Sequence, residues 1–193
     1  PERVGDRRCI WFHAVSVGEV NLLSSLLPQL PSDVDCVVTT TTRTGYQLAR
    51  RKYAQHLVSY CPLDFSWAVR RTLRRFRPDL LVLVELELWP NLIRSADRLG
   101  VPVVIVNGRL GDASYRGYRR LRWLIAPVLR RLAWIGAQTE TYARRFTALG
   151  AVKQRVSVTG SMKFDGAETN RDNARTRRLA ERVGITPHDL VFL

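Results

Sequence analysis

An α/β fold with a Rossmann-like, mostly parallel sheet is predicted for this chain by three observations. Apolar strand-like runs alternate with amphipathic helical runs at intervals that fit βαβ units, repeated about six times. The clearest strand, Leu80 to Val84, is an unbroken run of Leu and Val, as expected where both faces of a parallel strand are covered. Polar and glycine-bearing segments recur at the carboxyl ends of these strands, the edge where open α/β sheets bind their ligands.

The elements follow in order. Ile10 to His13 reads as the first strand, and Gly18 as a tight turn that places Glu19 at the mouth of a helix. That helix is expected from about Glu19 to Leu30 on the stripe Leu22, Leu23, Leu26, Leu27 and Leu30, with Pro28 ending it early because it lacks an N–H. Val34 to Thr40 is the second strand. Its Thr-rich tail and Arg43-Thr44-Gly45 suggest a cap or small anion nest, with a helix continuing to about Tyr53.

Leu57 to Tyr60 is a short third strand, and Asp64 is placed to cap a helix over 65–76 that carries an arginine-rich outer face. After Leu80 to Val84, Pro90 suits the first turn of a helix that Gly100 ends. Val103 to Val106 is the next strand, followed by a basic helical region over 113–131 that Pro127 is expected to break. A strand over 132–136, a helix from Thr139-Glu140 to Leu149, a strand near 155–158 and a polar loop over 159–165 complete the alternation. Residues 166–173 read as a linker, 174–183 as a short helix and 189–193 as the start of another strand.

Composition bounds the function. At 193 residues and 46% apolar content the chain can bury one good core. Thirty-one Lys and Arg against seventeen Asp and Glu give a net charge of +14, mostly from arginine, which favours planar contact with phosphate or carboxylate. Nucleic acid, an anionic membrane surface and a phosphorylated substrate all fit that charge. Cys9, Cys36 and Cys61 make no C-x-x-C pair and are expected to be reduced and buried, which points to a cytosolic compartment. No apolar run approaches the roughly 18 residues of a membrane span. Pro1 is not a natural start, so a fragment or processed chain is expected. The absence of G-x-G-x-x-G after the first strand and of G-x-x-x-x-G-K-[ST] anywhere argues against a dinucleotide site or a P-loop.

Candidate chemistry centres on Glu19. It is either a general base raised in pKa by apolar neighbours or a capping glutamate stabilised by the helix dipole. Glu85 and Glu87 are expected on one side of a strand end with Leu86 opposite; they could bind metal, divide acid and base roles, or hold Arg109, and shaping a polar cleft is the preferred role. His13 reads as a hydrogen-bonded structural residue. Ser16 lacks triad partners. Asn107 with Arg109, and Lys163 with Asp165, look like polar arms along one rim. The aromatic and cationic run from Tyr115 to Trp123 suits nucleic acid, an anionic bilayer, or a solvated face with Trp123 in the core.

The motifs W-F-H-A-V-S-V-G-E-V (11–20), T-T-T-T-R-T-G (39–45), P-L-D (62–64), E-L-E-L-W-P-N (85–91), N-G-R-L (107–110), R-R-F-T-A-L-G-A (144–151) and V-T-G-S-M-K-F-D (158–165) together resemble the 3-deoxy-D-manno-octulosonic acid (Kdo) transferases of lipopolysaccharide synthesis. The resemblance implies the N-terminal half of a GT-B glycosyltransferase, transferring Kdo from CMP-Kdo to a hydroxyl of the phosphorylated lipid A precursor with inversion and without metal or other cofactor. It implies Glu19 as the base, and Glu87, Asn91, Asn107, Arg109 and Lys163 as cleft or acceptor-side contacts. Ser16, Gly18, Arg43, Thr44 and Gly45 are assigned to the substrate site with them. The implied domains are 1–165 on the acceptor side, 166–188 as linker and short helix, and 189–193 as the first strand of a donor-binding domain. The implied place is the cytoplasmic face of a bacterial inner membrane, on an anionic surface, peripherally or through an anchor upstream. Ser161 stands where that family more often has Asn. The alternatives are a GT-B enzyme with another nucleotide-sugar donor or anionic acceptor, and a basic non-enzymatic nucleic-acid-binding domain; no nucleic acid is expected for the transferase.

Overall fold

The computed structural model describes residues 2–3, 5–164, 173–186 and 189. Residues Pro1–Lys163 form one compact unit and Phe164–Leu193 a second, smaller one. The strands of the first unit are β1 (Arg8–His13), β2 (Val34–Thr40), β3 (Leu57–Tyr60), β4 (Leu80–Val84), β5 (Val103–Gly108), β6 (Trp134–Ala137) and β7 (Val156–Val158). Its helices are α1 (Val17–Leu26), α2 (Arg43–Lys52), α3 (Ser66–Phe76), α4 (Pro90–Arg98), α5 (Asp112–Arg120), α6 (Arg122–Leu129) and α7 (Glu140–Leu149). The second unit contributes α8 (Ala174–Val183), capped by Asn173 and ended by Gly184. The predicted linker and last strand lie, apart from Asn173 and Asp189, outside the described residues.

All strand pairs are parallel, and the sheet order is β3-β2-β1-β4-β5-β6-β7. Period-two alternation sorts the strands' side chains onto two faces. Trp11, Leu81, Leu83 and Ile105 enter one cluster with α3, α4, α6 and α7; Phe12, Val82 and Val84 enter the other with α1 and α2. The unalternating apolar sequence of β4 is thereby explained, since neither face meets water. Strand order reverses between β1 and β4, so the loops after those two strands flank the switch point where such sheets place a ligand crevice.

Several boundaries differ from expectation for local reasons. α1 begins at Val17, because Ser16 is its N-cap with extended backbone (φ −109°), and it ends at Leu26, where Pro28 turns the chain into a short 3₁₀ segment. Gly18 is therefore not a turn; it is exposed in the first helical turn at ordinary φ. The basic region breaks at Leu121, and Pro127 stays inside α6; because α6 starts only at Arg122, the one intrahelical bond it forgoes is that to the Trp123 carbonyl, next to the helix start. That break lets Tyr115 and Tyr118 of α5 and Ile125, Val128 and Leu129 of α6 all reach the same cluster. Trp123 is 74% exposed, which removes the expectation of a core tryptophan there.

Asp64 caps a different helix from the one predicted. Its carboxylate accepts from the Asn91 N–H at 3.0 Å and the Leu92 N–H at 2.8 Å, at the start of α4; α3 has Phe65 at its N-cap without a side-chain bond. The tertiary fold brings α4 to Asp64, and four unsatisfied N–H groups at any helix start compete for such a carboxylate. The cysteines are free, and burial pushes the thiols of Cys9 and Cys36 up to about 11 and that of Cys61 to about 12, so they stay protonated.

Candidate active site

The segment after β1 is built around one capping motif. Ser16-Val17-Gly18-Glu19 has S-x-x-E spacing: Ser16 Oγ accepts from the Glu19 N–H at 3.3 Å and donates to Glu19 Oε1 at 2.9 Å. Glu19 Oε2 accepts the Val15 N–H at 2.9 Å. Val15 is itself tethered, its carbonyl accepting the hydroxyls of Thr40, the last residue of β2, at 2.7 Å and of Thr42, just past it, at 2.9 Å. Thr42 also caps α2 by accepting the Gly45 N–H at 3.2 Å. The Thr-rich tail thus clamps the β1–α1 turn, and that turn aims Glu19.

Gly45 makes the clamp possible. A Cβ there would sit 2.5 Å from Thr40 Oγ1, 2.7 Å from Thr42 Oγ1 and 3.2 Å from the Val15 carbonyl. Gly45 is buried, whereas Arg43 and Thr44 are exposed beside it in the first turn of α2.

The opposite side of the switch point is formed by residues after β4 and β5. Glu85 (φ 61°) and Asn107 (φ 54°) are both left-handed, a conformation that costs a non-glycine residue energy and clusters at functional sites. Because Glu85 turns out of β4, strand alternation stops at Val84, and the charge coupling between Glu85 and Glu87 does not come from strand pleating. Glu85 Oε1 instead faces Lys163 Nζ at 3.5 Å and Asn107 Nδ2 at 3.5 Å, so Lys163 and not Arg109 is its cation. Glu87 Oε2 accepts from Trp89 Nε1 at 2.8 Å. Arg109 is exposed at the rim.

Asn107 is a buried junction rather than an exposed arm. It is 1% exposed, its Oδ1 accepts the Met162 N–H at 3.0 Å and its carbonyl accepts from Gln138 Nε2 at 3.0 Å. The polar loop that follows β7 is held to the sheet edge by this side chain. Asn91 is also committed locally, its Nδ2 donating to the Asp64 carbonyl at 2.6 Å. Of the residues expected from sequence, Ser16, Glu19, Glu85, Glu87, Asn107 and Lys163 form this edge through contacts or charge coupling. Asp165 lies outside the described residues.

Burial raises the pKa of Glu19, and the nearby Glu85 charge raises it further, against the stabilising bonds from Val15 and Ser16. Burial likewise raises Glu87, helped by the charges of Glu19 and Glu85 and opposed by the Trp89 N–H. Glu19, only 8% exposed, is thus a desolvated carboxylate with both oxygens already hydrogen-bonded. Both sequence-derived roles meet in it: it caps α1, and it has the raised basicity of a proton acceptor. Among the described residues no group of three or more His, Cys, Asp or Glu is arranged to hold a metal ion.

His13 is fully buried, and desolvation lowers its pKa to about 4. The folded state therefore binds fewer protons than the unfolded state between about 4 and the ordinary 6.5, so stability present above that window is lost as pH falls through it. Thermal melts of wild type and His13→Gln across that range should show a smaller acid loss in the variant; equal slopes would place the acid sensitivity elsewhere.

Residues 1–166 match the family model described as 3-deoxy-D-manno-octulosonic-acid transferase (kdotransferase). The chain belongs to this Kdo transferase family. Relatives include a bifunctional glycosyltransferase/methyltransferase of Fusobacterium nucleatum, 37% identical over 82% of this chain and 26% of its own length. Another is a 3-deoxy-D-manno-octulosonic acid transferase of Haemophilus influenzae, 32% identical over 81% of this chain and 38% of its own length. The chain thus spans well under half the length of these two family relatives. In fold it resembles one half of a UDP-GlcNAc 2-epimerase from Neisseria meningitidis, with a TM-score of 0.62 at 13% identity over 91% of this chain and 53% of that one. The chain accordingly has a Rossmann-like parallel sheet that resembles the N-terminal domain of GT-B-fold sugar-nucleotide enzymes.

Residue-by-residue reading gave no role to Trp89 or Val15 and assigned Asp64 to the wrong helix. Ser16-to-Glu19 spacing was a usable signal for the cap. Nothing local signals the Trp89 contact to Glu87, and Asp64 signals a cap without telling which helix, because that partner is brought close only by the fold.

Proposed function

We propose that the full-length protein is an inverting, metal-independent GT-B glycosyltransferase that moves Kdo from CMP-Kdo to a hydroxyl of the phosphorylated lipid A precursor. Glu19 is its general base. The acceptor oxygen bonds to the anomeric carbon on the face opposite the nucleotide, the carbon–oxygen bond to CMP breaks, and the acceptor's proton passes to the Glu19 carboxylate. The observation that carries this reading is a desolvated carboxylate beside the sheet's switch point in a chain of the Kdo transferase family. Glu87, Lys163, Asn91, Asn107, Arg109 and the Ser16-Gly18 and Arg43-Thr44-Gly45 segments shape the acceptor side, by contact or by holding the groups that make contact. A donor-binding domain that begins at 189–193, joined through 166–188, supplies the CMP-sugar contacts, and residues 1–193 alone are inactive.

The acceptor brings phosphates and a bilayer with it, and the surface has the chemistry to meet both. Leu63, Phe65 and Trp67 are exposed beside Arg70, Arg71 and Arg74 of α3, and Trp123 lies among Arg116, Arg119, Arg120 and Arg122. No helix among the described residues is long and apolar enough to cross a membrane. Peripheral attachment to an anionic inner-membrane surface fits this arrangement. A different nucleotide-sugar donor is the second reading, because in this proposal the donor contacts belong to the domain that begins at 189–193 and not to the sheet described above.

The test is transfer by the full-length protein with CMP-Kdo or UDP-sugars as donor and lipid A precursor as acceptor, with and without chelator. Transfer from CMP-Kdo that survives chelator is expected. Transfer from a UDP-sugar alone selects the second reading. Sedimentation with vesicles should show binding to anionic and not to zwitterionic lipid, weakening with salt; tight binding to single-stranded nucleic acid with a steep salt slope, and none to lipid, would overturn the membrane assignment.

A further inference from the structure

His13 is a buried titratable side chain at the ligand edge that the transfer reaction above does not use. It lies at the end of β1 between Thr39 of β2 and Leu83 of β4, and its Nε2 has no hydrogen-bond partner among the described residues. A buried polar atom left unpaired destabilises the fold relative to an apolar residue of similar shape. The position therefore needs a role that Leu or Val could not fill.

Two contacts suggest that role. His13 Nδ1 lies 3.0 Å from Thr39 Oγ1, which already accepts from Trp11 Nε1 at 2.7 Å. The Thr39 hydroxyl proton has two acceptors in reach, His13 Nδ1 at that distance and the Phe12 carbonyl at 3.4 Å. A hydroxyl proton directed to the shorter contact makes Nδ1 an acceptor and leaves the imidazole proton on Nε2; directed to Phe12, it leaves Nδ1 to donate to Thr39. The same ring meets Trp89 edge to face, with centroids 5.7 Å apart at 77°. Trp89 in turn donates its indole N–H to Glu87 at 2.8 Å.

We propose that His13, as its neutral Nε2–H tautomer held by Thr39, is a positioning residue that sets the Trp89 indole against its N–H edge and thereby fixes the Glu87 carboxylate in the cleft. An imidazole N–H can rest on an indole face as a weak N–H···π contact, which an aliphatic side chain cannot reproduce. The carboxylate so fixed feels Glu19 of α1, Glu85 after β4, Cys61 after β3 and Tyr118 of α5. The indole N–H favours its charged form against burial and those neighbours. Only the kinetic consequence rests on the transferase reading; the arrangement itself is testable without substrate.

In the full-length protein, nitrogen NMR of His13 is expected to show the Nε2–H tautomer. Carbon NMR of Glu87 is expected to show its titration moving to higher pH in His13→Phe, which keeps a ring but has no N–H, and in Trp89→Phe, which removes the indole donor. His13→Gln, whose amide can place an N–H near the Nε2 position, should restore most of the shift. The acid side of the kcat/KM profile should move with Glu87 and return in the Gln variant. An Nδ1–H tautomer, or a Glu87 titration unchanged in His13→Phe, overturns the proposal whatever the substrate. If His13→Phe does not fold, the tautomer and Trp89→Phe decide: Nδ1–H, or no movement of Glu87, overturns it. Failure of the wild type to transfer Kdo removes the donor assignment and leaves these NMR outcomes to stand or fall alone.

Discussion

Glu19→Gln in the full-length protein is expected to lower kcat by about 10²–10⁴-fold, the usual contribution of a positioned base, while acceptor binding changes little. The fold should survive because Gln also serves at this position of a capping box, even though its amide accepts only one of the bonds that Val15 and Ser16 now donate to the carboxylate. Stability supplies a second check. Burial raises the folded-state pKa of Glu19, so the folded state binds more protons than the unfolded one between the ordinary glutamate value and the raised one. Ionising Glu19 as pH rises through that window therefore lowers wild-type stability, and the neutral variant escapes this loss. The Tm difference should move in favour of Glu19→Gln as pH increases; near-normal turnover, with or without that trend, would reject Glu19 as the base.

Gly45→Ala is expected to have the next largest effect, although Gly45 touches none of the reacting groups in the mechanism above. The added methyl would meet two threonine hydroxyl oxygens at 2.5 and 2.7 Å, inside any real contact distance, and both hydroxyls hold the Val15 carbonyl. Overpacking of this kind costs about 1–3 kcal/mol, so Tm should fall measurably. Relieving the clash shifts Val15, whose N–H orients Glu19, so kcat should drop roughly tenfold or more, since misplacing a reacting group by about an ångström is that costly. A variant with wild-type Tm and wild-type kcat would show that the clamp yields without moving the carboxylate. Reduced affinity with kcat unchanged would assign Gly45 to substrate contact alone.

These two positions also show what kind of information was legible in the chain. Glu19 could be picked out because strand, turn and helix start are local, and the S-x-x-E spacing places its carboxylate by short-range geometry. Gly45 could be named but not understood, since the two threonine hydroxyls that leave no room for a methyl are held in place by a carbonyl thirty residues earlier. Glu85 and Glu87 do feel each other's charge, but strand alternation is not the reason, since Glu85 leaves the strand at a positive φ that the strand pattern gave no reason to expect. Asp64 was correctly read as a capping residue and given the wrong helix, because a carboxylate's preference for exposed N–H groups is local but the identity of the nearest helix is not.

The amino-acid sequence by itself determined the alternation of strands and helices, the parallel sheet with both faces covered, the family, and the carboxylate that opens α1. All of these follow from periodicity, capping chemistry and motif order, which act over a few residues at a time. Only the tertiary structure decided that β1 and β4 lie side by side, that threonines at the end of β2 clamp the turn holding Glu19, that Lys163 returns to Glu85, and that Asn107 is buried as a junction. Those facts depend on which strand ends become neighbours, and that is settled by burying two apolar faces at once rather than by any residue's own preference.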